Sequence, residues 1–141
     1  MRISDILRTK GDVVVTIAPD ETVRVLVTRL AEHNVGALVV SGDGSSVAGI
    51  VSERDVARGL HTDSAVLDAP VSSIMTADVR TCAAGDSIEQ LMRLMTDRHI
   101  RHVPVVADGA LVGIVSIGDV VKNRIGQLEF EKGQLEDYIA R

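Results

Sequence analysis

A chain of 141 residues can bury roughly 68–70% of its unfolded surface, enough for one sizeable core. Hydrophobic residues make up 45% of it and aromatics only 1%, so that core must be built from Val, Ile, Leu, Met and Ala. The 15 basic against 20 acidic residues give a net charge of −5, which excludes nucleic acid as the main partner, because phosphate backbones require a basic surface and single strands require stacking platforms.

The first residues carry an amphipathic pattern at Ile3, Ile6 and Leu7 but no uninterrupted apolar stretch of the secretory kind. No later run approaches a membrane span, so a cytosolic protein without a membrane partner is expected. Residues 13–17 are rich in β-branched side chains and read as a strand, after which Pro19-Asp20-Glu21 signals a helix start. Val23, Leu26, Val27 and Leu30 then fall at i, i+3, i+4 and i+7, one face of a helix closed by His33-Asn34. Residues 35–40 and 47–51 read as the arms of a hairpin across the turn-forming run 41–46, and a short helix follows to about Leu60. Residues 61–70 are polar and contain a proline, the composition of a connection.

From there the pattern recurs. Residues 79–83 match 14–18, and Ile88, Leu91, Met92 and Met95 repeat the spacing of the first helix at an offset of 65. A second hairpin is expected over 100–106 and 110–115, joined by Asp108-Gly109, a strong turn signal. Both units close on the same words: Gly49-Ile50-Val51-Ser52-Glu53-Arg54-Asp55 and, 64 positions later, Gly113-Ile114-Val115-Ser116-Ile117-Gly118-Asp119. A unit of about sixty residues is too small to bury its sheet face alone, so the copies are expected to pack as one pseudo-symmetric domain.

Each closing Ser-x-x-Asp sits where a buried strand gives way to a helix. One reading is a capping box, with Ser and the acid satisfying backbone N–H groups reciprocally. The other is a ligand site, since a helix N-terminus suits phosphate and a carboxylate there can accept from two vicinal ribose hydroxyls. The two readings are compatible.

The tail departs from the first repeat by continuing its helix. Val121, Ile125, Leu128, Leu135 and Ile139 form a heptad-like stripe interrupted at Lys132, and Gly126 and Gly133 weaken it. A continuous helix would project about 36 Å. It either folds back on its own domain or meets a partner. Cys82, the single cysteine, matches the apolar Ile17 and reads as a packed thiol.

A repeated strand, helix, hairpin and helix closing on Gly-hydrophobic-x-Ser-x-x-Asp resembles the cystathionine-β-synthase (CBS) domain, and two copies resemble the tandem pair called a Bateman module. The likeness rests on the two motifs above and on Arg101-His102-Val103-Pro104-Val105-Val106, and it covers nearly all of residues 1–125. The Thr-Lys-Gly near the start and the helical extension look like the stand-alone CBS-pair proteins of bacteria and plants. The resemblance implies an α+β fold: repeat one over 1–66, repeat two over 67–125, packed sheet to sheet, and a C-terminal helical extension over 126–141. It implies a regulatory module binding adenosine-containing ligands in the cleft, with homodimerisation and an unknown effector protein. One site would combine Thr16, Ala18, Gly36 and Ala37 with Ser116 and Asp119; the other would combine Thr81, Ala83, Arg101 and His102 with Ser52 and Asp55. Arg54 is a further candidate phosphate contact.

Only the second of these sites has cations at its front, because Arg101-His102 replace Gly36-Ala37, so phosphate-rich ligands should prefer it. Catalysis is not expected: no Gly-x-Ser-x-Gly elbow is present and both serines have a structural use. Neither is a bound metal or required cofactor, as His99 and His102 fall at a helix-to-strand junction where they would not share a face, and Cys82 is the only thiol. A protein-interaction module working through the C-terminal helix, with the repeats as scaffold, is the alternative.

Overall fold

The computed structural model describes residues 1–11 and 13–140; Asp12 and Arg141, the latter closing the expected extension, lie outside the described residues. The elements follow the order α1 (Ile3–Lys10), β1 (Thr16–Ile17), α2 (Val23–His33), β2 (Ala37–Val40), β3 (Gly49–Ser52), α3 (Glu53–Thr62), α4 (Ile88–Arg98), β4 (His102–Ala107), β5 (Ala110–Ser116) and α5 (Ile117–Ala140). Two short 3₁₀ turns, Ser64–Asp68 and Val71–Ser73, fill the connection between repeats.

Local chemistry sets the helix limits. The Thr22 hydroxyl accepts from the Val25 N–H at 3.3 Å to start α2, and a Ser87–Gln90 capping box starts α4. Both end on a left-handed residue, Asn34 (φ 51°) and His99 (φ 54°), the Asn–His pairing being unusual only in lacking glycine. In the first hairpin loop Asp43 Oδ1 accepts from the N–H groups of Ser45 and Ser46 and from the hydroxyls of Ser41 and Ser46, holding its carboxyl well below the usual range. The second hairpin turns on Asp108 (φ 52°) and Gly109 (φ 78°), both left-handed as a tight two-residue turn requires.

β1 runs parallel to β2 and β2 antiparallel to β3, while β4 and β5 form a hairpin of their own. The strand expected over 79–83 is reduced to a single parallel bridge, Cys82 to Val105. Cys82 N–H donates to the Pro104 carbonyl at 3.0 Å and Val106 N–H to the Cys82 carbonyl at 2.9 Å. One rung further the donor would be the amide of Pro104, which has no hydrogen, and the ladder stops. Val39 stands at the matching place in repeat one, and there the ladder takes two rungs.

Two cores result. Ile17, Val23, Leu26, Leu38, Val40 and Val51 form the first, joined by Val66 and Val71 from the connecting turns. Ile88, Leu91, Met95, Val103, Val105 and Val115 form the second, and Ile3 and Ile6 of α1 belong to it. The N-terminal helix thus completes the repeat distant in sequence. Each fully buried branched side chain contributes roughly 1.5–3 kcal/mol relative to exposure.

The glycines of the repeated motif are explained by what crosses them. A Cβ on Gly49 would stand 2.9 Å from the Thr76 carbonyl oxygen, where β3 meets Thr76 in an antiparallel bridge; one on Gly113 would meet the Leu7 side chain of α1. α5 is one continuous helix of 24 residues, about 36 Å long. It does not fold back: Leu135 is 60% and Ile139 74% exposed.

Candidate functional site

Both Ser-x-x-Asp junctions are capping boxes. The Ser52 N–H donates to Asp55 Oδ2 at 2.8 Å, the Ser52 hydroxyl donates to the same oxygen at 3.1 Å, and the Asp55 N–H donates back to the hydroxyl oxygen at 3.4 Å. In the second copy the Ser116 N–H donates to Asp119 Oδ2 at 2.9 Å and the Asp119 N–H to Ser116 Oγ at 3.1 Å. Capping uses Oδ2 of Asp55. The start of each helix is also tied to the strand beside it, Glu53 N–H to the Gly36 carbonyl at 3.0 Å and Ile117 N–H to the Arg101 carbonyl at 2.8 Å.

In front of Asp55 lies an open cavity of about 520 Å³, within the range of small-ligand pockets. Repeat one supplies Gly36, Ala37, Ile50, Ser52, Arg54 and Asp55; repeat two supplies Thr76, bridged to Ile50, and His99, Ile100, Arg101 and His102. Gly36 and Ala37, assigned by resemblance to the opposite site, reach this one because Ala37 pairs with Ser52 across the β2–β3 ladder. Sequence reasoning missed Arg58, which also lines the cavity. Its signal was present: Arg58 stands one helical turn after Arg54 on the same face. Arg54 and Arg58 of α3, with Arg101 of repeat two, thus line the cavity beside the acidic Glu53 and Asp55.

His102 does not add a fourth cation. Its half-buried ring lies against Gly36, where a Cβ would be 3.4 Å from Cε1 and Nε2. Burial lowers its pKa below 6.5, helped by the Lys10 and Arg101 charges and opposed by Asp119 and Glu53. At neutral pH the imidazole is uncharged, a correction to the expected pair of cations at Arg101-His102.

The remaining expected residues are placed elsewhere. Thr81 and Ala83 are exposed on either side of the Cys82 bridge and do not line this cavity. Thr16 lies in β1 with its carbonyl accepting from Arg29, and Ala18 opens the turn before α2. Asp119 lines a separate cavity of about 550 Å³ with Lys10, Lys122, Asn123 and Phe130. There Lys10 Nζ donates to Asp119 Oδ2 at 2.7 Å and to the Ile114 carbonyl at 2.8 Å. Burial pushes the Asp119 carboxyl up, but the Lys10 bond and the Ser116 N–H outweigh it and hold the group below its usual value. The two junctions are therefore alike in backbone and different in chemistry.

The Cys82 thiol is pushed up to about 12, first by burial and then by Asp86, which leaves it unreactive. Among the described residues no three or more His, Cys, Asp or Glu are grouped to hold a metal ion. No helix among them is long and apolar enough to cross a membrane.

The model of the CBS domain matches residues 3–62 and 71–126. The chain is 36% identical to the mitochondrial CBS domain-containing protein CBSX3 of Arabidopsis thaliana, over 97% of this chain and 71% of that one. It is 42% identical to the CBS-domain containing protein ATU1752 from Agrobacterium tumefaciens, whose crystal structure superimposes with a TM-score of 0.84 over 88% of this chain and 99% of that one. The CBS domain pair of protein MJ0100, solved with 5′-methylthioadenosine and S-adenosyl-L-methionine, shares 25% identity and a TM-score of 0.80 over 90% of this chain and 98% of that one. Matched twice along its length and in the fold of a CBS pair, the chain belongs to the CBS-domain family.

Proposed function

We propose that this chain is a non-enzymatic regulatory module that binds an adenine nucleotide, AMP, ADP, ATP or NAD(H), between its two repeats. Occupancy then favours one arrangement of repeats or protomers and changes what an effector protein meets. The observation that carries this reading is the single cavity lined both by Asp55, one carboxylate oxygen left over from capping, and by Arg101 of the other repeat. Ribose hydroxyls donate to Asp55, phosphates take the forks of Arg54, Arg58 and Arg101, and the base lies among Ala37, Ile50 and Ile100. The adenosine compounds bound by MJ0100 support the ligand class. Three guanidiniums favour phosphate over the sulfonium cation of S-adenosylmethionine.

Thr81 and Ala83, which do not line the cavity, would be met only by a part of the ligand that extends beyond it. Thr16, Ala18, Ser116 and Asp119 are assigned to a weaker second site, where ribose must displace Lys10. Catalysis forms no part of the reading, since both serines are committed to helix caps, and the module is placed in the cytosol as a homodimer. A second reading, a protein-interaction module working through α5, is favoured by the exposed apolar stripe of that helix.

Thermal unfolding against AMP, ADP, ATP, NAD, NADH, S-adenosylmethionine and GTP tests the proposal. A ligand at 100 times its Kd adds about 2.7 kcal/mol, a rise of roughly 5–10 °C for a domain of this size. Adenine nucleotides are expected to give that rise and GTP not. No rise with any of them at millimolar concentration, or an equal rise with GTP, overturns it.

A further inference from the structure

α1 and α5 both line the cavity of about 550 Å³ beside the second capping box, of whose residues the nucleotide reading uses only Asp119. Along α5, Asp119, Asn123, Gly126 and Phe130 follow at spacings of four, three and four, one face of the helix over about 16 Å. Polarity changes along that face. Asp119, Lys122 and Asn123 stand at its start and Gly126 and Phe130 at its end, while Ile6 of α1, 4% exposed, adds apolar surface. The Gln127 oxygen nearby is already taken by Arg124 at 3.1 Å. Lys10 is committed to Asp119 and the Ile114 carbonyl, whereas the Lys122 amine has no ion-pair partner among the described residues. Two ammonium groups against one carboxylate leave the cavity a single positive charge. Gly126 is the other clue. A Cβ there would meet nothing within 4 Å, so packing does not demand a residue that costs the helix about 1 kcal/mol relative to Ala. Its missing side chain keeps the middle of the face open.

We propose that this cavity binds a single-chain carboxylic acid, its carboxylate at Lys122 and its acyl chain running over Gly126 to Phe130. The carboxylate supplies the one negative charge that the cavity lacks. A phosphate dianion would set a second charge against the Asp119 carboxylate, which favours a carboxylate over a nucleotide tail here. Length follows from the helix. Lys122 and Phe130 are eight residues apart, about 12 Å. At about 1.2 Å per bond, as in an extended backbone, a chain of about ten atoms spans that distance. Met1 and Phe130, 50% and 66% exposed at the cavity, are the apolar surface that the far end of the chain covers.

Calorimetric titration of the full-length chain with decanoate is expected to show saturable binding of one molecule per chain. Octanoate, two methylenes shorter, is expected to bind about tenfold more weakly. Lys122→Gln should lower decanoate affinity about tenfold and Lys122→Arg restore it, which separates charge from packing. Gly126→Leu places a side chain in the open middle of the face and should abolish binding, with a Tm no lower than the wild type because leucine favours a helix over glycine. No saturable heat with millimolar decanoate, equal affinity for the two acids, or undiminished affinity in either Lys122→Gln or Gly126→Leu overturns the proposal.

Discussion

Asp55 and Asp119 close equivalent repeats, cap equivalent helices and bond their own serine N–H at nearly the same distance, 2.8 and 2.9 Å. What separates them is one lysine contributed by a helix more than a hundred residues away in sequence. His102 lies between these surroundings and is the residue through which acidity acts on the fold. Its folded pKa lies below 6.5, so the folded imidazole binds fewer protons than the unfolded one over that interval. Stability is complete above about pH 6.5 and declines as the pH falls from there towards the folded value. The Tm is expected to drop between about pH 7.5 and 5.5 in the wild type and to change less in His102→Gln. Identical slopes would show that the ring is not what titrates. The Asp119 carboxyl, held below 3.8, adds its own loss only in stronger acid.

At the scale of the element, the motif glycines make a prediction that the sequence alone does not. Gly49 and Gly113 hold the same place in two copies of one motif, yet a methyl on the first meets a backbone oxygen and on the second the end of a leucine. Backbone cannot yield as a flexible side chain can. Gly49→Ala is expected to cost about 1–3 kcal/mol, an overpacking penalty, and Gly113→Ala distinctly less. Urea denaturation of the two variants measures the difference, and equal costs would contradict it. Periodicity made α2, α4, both hairpins and the two helix caps legible, because each is decided by residues within a few positions of one another. The shortened strand at Cys82 was also written in the sequence, in Pro104, but only becomes readable once Val105 is known to pair with Cys82. The expectation of two cations at Arg101-His102 failed for a different reason: a histidine's charge depends on burial, which spacing does not reveal.

For the whole molecule, the decisive contacts are those that cross between repeats. α1 precedes repeat one in the chain and packs into the core of repeat two, where Ile3 is fully buried. Nothing in the local pattern at Ile3, Ile6 and Leu7 says which core they enter. Ile3→Ala is expected to cost about 2–5 kcal/mol, and hydrogen exchange should accelerate first at Val103 and Val115 of repeat two rather than at Val39 and Val51 of repeat one. The reverse order would contradict the packing. The cavity in front of Asp55 also draws on both repeats, with Asp55 from one and Arg101 from the other. That cavity is what the functional account depends on, and calorimetric titration of the wild type and Asp55→Asn with AMP and ATP tests it most directly. Asparagine keeps a carbonyl oxygen for the Ser52 N–H and so preserves the cap, but removes the charged acceptor offered to ribose. Loss of one charge-assisted hydrogen bond is worth roughly 1.5–3 kcal/mol, so affinity is predicted to fall about ten- to a hundredfold with little change in Tm. Undiminished affinity in Asp55→Asn would place the nucleotide somewhere other than this cavity.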